Sequence, residues 1–79
     1  MAVTDAQIER TILDLLQQRD TGKTICPSEA ARALADDFRL LMDDVRRVAG
    51  GMHDVEITQK GRAVALGDVR GPIRLRLKN

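Results

Sequence analysis

An α+β domain, three helices with a small antiparallel β-sheet, is what this 79-residue sequence predicts. Three observations carry that expectation. Apolar residues recur at helical spacing in three separate stretches. Val55 to Gln59 and Ile73 to Leu77 instead alternate with a period of two, the mark of half-buried strands. The composition, 43% apolar and 32% charged, is that of one globular domain (residues 1–79) near the lower size limit for a core without staples.

The elements follow in order. Thr4 is the N-cap of a first helix, and Gln7, three residues on, completes a capping box. Ile8, Ile12, Leu15 and Leu16 supply its apolar stripe, which Leu13 widens. Asp20-Thr21-Gly22 ends it, and Lys23-Thr24-Ile25 is long enough only for a short strand. Cys26 then stands at an N-cap place, with Pro27 at the first position of a second helix and Glu29 three residues after the cap. That helix runs through Ala30, Ala31, Ala33 and Leu34, and its small residues let another helix cross closely. Asp36-Asp37 interrupt the pattern and are placed to cap an apolar turn of Phe38, Leu41 and Met42.

Val45, Val48, Ala49 and Met52 lie at i, i+3, i+4 and i+7, a third amphipathic helix that ends near Gly50-Gly51. A strand begins at Val55, Lys60-Gly61 turns it, Arg62 to Gly71 read as an irregular loop, and Ile73 to Leu77 form the last strand. In that strand Ile73, Leu75 and Leu77 should be buried and Arg74, Arg76 and Lys78 exposed, since a one-residue slip would invert every side chain. The order H-β-H-H-β-β is that of a winged helix-turn-helix, whose last two strands and their loop form the wing.

Two blocks, Gly22-Lys23-Thr24-Ile25-Cys26-Pro27-Ser28-Glu29 and Arg70-Gly71-Pro72-Ile73-Arg74-Leu75-Arg76-Leu77, resemble the two ends of a small bacterial family of unknown function. Phe38-Arg39, Leu41-Met42, Val45-Arg46 and Thr58-Gln59-Lys60-Gly61 fit the middle of the same pattern. The resemblance runs from about Ile8 to Leu77. It implies a winged-helix fold and carries over no catalytic or ligand residue.

Charge is unevenly distributed. Residues 60–79 hold six bases and one acid, whereas residues 1–59 hold seven bases and eleven acids. The net charge of +1 thus hides a basic C-terminal end, which suits a polyanionic partner; a solvated edge strand is the plainer explanation. Phe38 is the single aromatic, too few for the stacking platforms of single-strand and RNA binders. The chain has no run of eighteen apolar residues and no signal-peptide pattern, so a cytoplasmic protein without a membrane partner is expected, in keeping with the lone Cys26.

Other chemistries find little support. Gly22-Lys23-Thr24 resembles the tail of a phosphate-binding P-loop, but that motif needs a glycine where Gln17 stands and a strand before it. A Cys26–His53 nucleophile lacks an orienting third residue, and one Cys with one His is too few for a structural zinc site. Cys26 is expected to be a small buried capping residue. Asp36-Asp37 and Asp43-Asp44 are neighbours on their elements, pointing about 100° apart if helical, and suit caps and first turns better than a metal. No catalytic residue, metal or cofactor is expected.

The functional expectation is nucleic-acid binding, to double-stranded DNA. Asp43 and Asp44 at the start of the third helix would repel phosphate, so the basic wing should supply most of the affinity. Arg46 and Arg47 are the candidates for groove contacts, helped by Arg39. Lys60, Arg62, Arg70, Arg74 and Arg76 are the candidates for backbone contacts. The alternative is a protein-interaction adaptor on the same scaffold, a dimer through Leu13 and other apolar positions of the first helix.

Overall fold

A computed structural model describes residues 3–19, 23–65, 67 and 71–78. Gly22, Arg70 and the helix-ending Asp20-Thr21 lie outside the described residues. The described elements are α1 (Asp5–Gln17), β1 (Thr24–Ile25), α2 (Pro27–Leu34), a 3-10 turn (Phe38–Leu41), α3 (Met42–Gly50), β2 (Val55–Gln59), β3 (Arg62–Ala63) and β4 (Arg74–Leu77). The chain is thus α+β, with three helices and a four-stranded antiparallel sheet.

Local chemistry accounts for the helix boundaries. Thr4 and Gln7 form the reciprocal capping box: the Gln7 amide donates to Thr4 Oγ1 at 3.2 Å and the Thr4 amide to Gln7 Oε1 at 2.8 Å. Cys26 holds the N-cap position of α2 with extended backbone, but its side chain makes no capping bond and is only half-buried. The expected buried cap is therefore met by position alone, because a thiol is a poor acceptor for a backbone amide. Asp37 likewise precedes the 3-10 turn without a side-chain cap.

The sheet order is β1-β4-β2-β3, so the last strand in sequence lies between the first two. Ile25, Leu75 and Ile57 stand in one cross-strand row, and Thr24, Arg76 and Glu56 in the next. Their alternation sends the first row into the core with Ile8, Ile12 and Leu16 of α1, Ala30 and Ala31 of α2, and Val45, Val48 and Ala49 of α3. The small α2 residues let α1 and α3 pack against it. Thr58, the buried polar residue of the core, donates its hydroxyl to the Arg74 carbonyl at 3.3 Å.

Two differences from the sequence reading concern the C-terminal third. Arg62–Ala63 is a strand rather than the start of an irregular loop. Lys60 and Gly61 have φ of 54° and 82°, which suits a two-residue type I′ hairpin pairing Gln59 with Arg62. A two-residue strand is too short to show a period, so only its turn was legible. In β4, Ile73 and Leu75 are buried and Arg74 and Lys78 exposed, as the alternation predicts, but Arg76 and Leu77 are both half-buried. Arg76 is covered by its cross-strand partner Glu56, and Leu77 sits at the strand end opposite Val55, where the core runs out.

Candidate nucleic-acid interface

The side chains proposed for binding come from α3, the β2–β3 hairpin and β4, and the fold divides them into two groups. The first group is committed internally. Arg47, on the solvent side of α3, makes a bidentate pair with Asp5 in the first turn of α1, at 3.0 and 2.8 Å, and reaches Asp44 at 3.4 Å. That geometry holds the Asp5 carboxyl below its ordinary range, chiefly through the hydrogen bond from Arg47, and raises the Arg47 guanidinium. Arg76 donates Nε to Glu56 Oε1 at 2.6 Å, and its Nη2 reaches the same oxygen. Arg47 and Arg76 thus each share their charge with a carboxylate, unlike the bases of the second group. Both pairings are tertiary, which is why neither was visible in the sequence.

The Asp5–Arg47 pair has a pH signature. A carboxyl whose folded pKa is depressed contributes stability above its unfolded value, near 3.8, and loses it as pH falls through the folded value. The melting temperature of wild type should therefore exceed that of Asp5→Asn at neutral pH, and the gap should close on acidification below about pH 4. A gap that stays constant to the acid limit would show that the pair contributes nothing.

The second group surrounds a cleft. Its larger lobe, about 310 Å³, is lined by Gln59 and Lys60 of the hairpin and by Arg74. Its smaller lobe, about 180 Å³, is lined by Pro27, Ser28, Met42 and Arg46. Cys26, Pro72 and Ile73 wall both lobes. Gln59 Nε2 donates to the Pro72 carbonyl at 3.2 Å, tying the hairpin to the segment before β4. Arg74 is held by neutral acceptors: its Nε donates to Thr24 Oγ1, Nη2 contacts the Thr24 carbonyl at 3.4 Å, and Nη1 lies 3.0 Å from Cys26 Sγ. No carboxylate offsets its charge among the described residues. Arg46 and Lys60 likewise make no ion pair among the described residues.

The profile of the family DUF3253, described as a protein of unknown function, matches residues 5–78 of this chain. The chain belongs to that family. No curated protein matches it. In this DUF3253 domain the two sequence blocks singled out above are spatial neighbours, since Thr24 pairs with Arg76 and Ile25 with Leu75. The cleft lies where they meet.

The remaining candidates are dispersed. Arg62 is exposed on β3, beside the hairpin turn. Arg39 is exposed with its guanidinium 5.9 Å from the Phe38 ring centroid, and Arg32 caps the same ring at 4.5 Å. Arg70 lies outside the described residues. The sequence reading missed Ser28 and Pro72 as cleft residues; neither carries a charge or a period, and only the β1–β4 register brings them together. Among the described residues no three His, Cys, Asp or Glu side chains cluster to hold a metal ion, and no helix is long and apolar enough to cross a membrane.

The contact from Arg74 gives Cys26 a structural task. Cys26→Ser should leave the melting temperature nearly unchanged or slightly raised, because serine is the better N-cap and its hydroxyl can also accept from Arg74. The expected stability change is under about 1 kcal/mol. Rapid alkylation of the native thiol with loss of binding would contradict this role.

Proposed function

We propose that the three helices and the sheet form a winged helix-turn-helix, with the hairpin and the segment leading into β4 as the wing, and that it serves as a cytoplasmic, non-catalytic module for double-stranded DNA. The observation that carries this reading is that Lys60 and Arg74 line one lobe of the cleft and Arg46 the adjoining lobe, with no carboxylate in the described lining of either. Arg62, exposed on β3 and paired with Gln59, is a further base on the hairpin. Asp43 and Asp44 still occupy the first turn of α3, so phosphate contacts from the wing side supply the affinity and base reading is slight. Arg46 is the α3 base left for groove contact once Arg47 is paired with Asp5.

Gel shifts of the full chain against unrelated random duplexes test the reading. Binding is expected at about 50 mM salt, falling steeply by about 200 mM and differing little between sequences. No shift at the lower salt would remove it.

A second reading rests on Leu40, a large apolar side chain left 78% exposed on the 3-10 turn. It gives the protein-interaction alternative a surface there. Leu13, the α1 residue expected for that role, is partly buried against the core.

A further inference from the structure

The cleft between the start of α2, α3 and the stem of the wing is cationic, but its walls are largely apolar. Pro27, Met42, Pro72 and Ile73 supply those walls, and Arg46, Lys60 and Arg74 supply the charge. A duplex phosphate would use the cations and leave the walls idle. Volumes of about 310 and 180 Å³ for the two lobes approach the size of small-ligand sites, which are typically apolar with a few placed polar groups. Arg74 is fixed by Thr24 and Cys26, so its guanidinium is oriented before any ligand arrives.

We propose that this cleft binds a small amphipathic anion, an apolar body bearing a phosphate or carboxylate, and that such a ligand competes with nucleic acid for Arg46, Lys60 and Arg74. The ligand site stands on the cleft alone; only the competition rests on the duplex-binding reading above. The anionic head lies against Lys60 and Arg74 in the larger lobe, and the apolar body extends over Pro72 toward Met42 and Arg46 in the smaller one.

Hexyl phosphate, inorganic phosphate and hexanol are the probes, titrated into the full ¹⁵N-labelled chain. Hexyl phosphate should give saturable amide shifts centred on Cys26, Ser28, Lys60 and Ile73. It should bind at least about tenfold more tightly than inorganic phosphate, because each buried methylene adds to affinity. Hexanol should leave these amides unmoved. Arg46→Gln with Lys60→Gln should weaken hexyl phosphate about fivefold. Pro72→Glu, which places a carboxylate at an exposed wall position without opening the core, should abolish binding while the other amide shifts report an intact fold. No saturable shift, shifts centred elsewhere, equal affinity for inorganic phosphate, or indifference to both variants would overturn the site. In a separate arm, hexyl phosphate should release a labelled duplex with the same concentration dependence. Ligand binding without release would overturn the competition, whereas failure of wild type to bind any duplex would overturn the nucleic-acid reading and leave the ligand titration to stand.

Discussion

Leu75→Ala is expected to cost about 2–5 kcal/mol, the largest single loss among the substitutions considered. Leu75 is 0% exposed, and its cross-strand neighbours Ile25 and Ile57 are also buried, at 0% and 5%. Removing its branched end opens a space that three strands and the helices above would have to close. Small domains hold only about 5–15 kcal/mol in total, so the variant should be partly unfolded at 37 °C. Urea titration should show a lower midpoint with an unchanged slope. Leu77→Ala, at the half-buried end of the same strand, should cost clearly less. Equal losses at the two positions would mean that β4 is seated differently.

The second large effect concerns binding. Lys60→Ala with Arg62→Ala should weaken duplex binding about equally across unrelated sequences. The dependence of log K on log salt should flatten by up to about 2 units, about 0.9 for each phosphate that is no longer neutralised. Arg46→Ala should instead change whatever sequence preference exists. Arg47→Ala and Arg76→Ala are the informative controls. Both remove a positive charge, but each base is already engaged by a carboxylate, so the salt dependence should barely move. If all four positions flattened it alike, the binding would be driven by overall charge rather than by the cleft.

Much of the fold was legible because its signals are local. The Thr4–Gln7 box, the Pro27 start of α2 and the Val45-Val48-Ala49 stripe each lie within a turn or two of chain, and all three are found in place. The Ile73–Leu75 alternation located β4 for the same reason. The site was less legible, because a base's availability is decided by partners far away in sequence. Asp5 is 42 residues from Arg47, and Glu56 is 20 from Arg76. Sequence identified a pool of arginines, and only the sheet register and the packing of α1 against α3 separated the committed bases from those at the cleft.

The position of β4 also bears on how the chain reaches this state. Among the described strands β1 pairs only with β4, so Thr24 must wait for Arg76, about fifty residues later. The helices can form and collapse early on local contacts, but the sheet cannot close until a long loop has been gathered, an entropic cost that slows its completion. During synthesis the helical part would emerge with Ile25 and Ile57 still facing a gap, to be filled when the basic strand leaves the ribosome. Folding and assembly of the cleft are therefore one late event, since the same strand that fills the gap carries Arg74 into place.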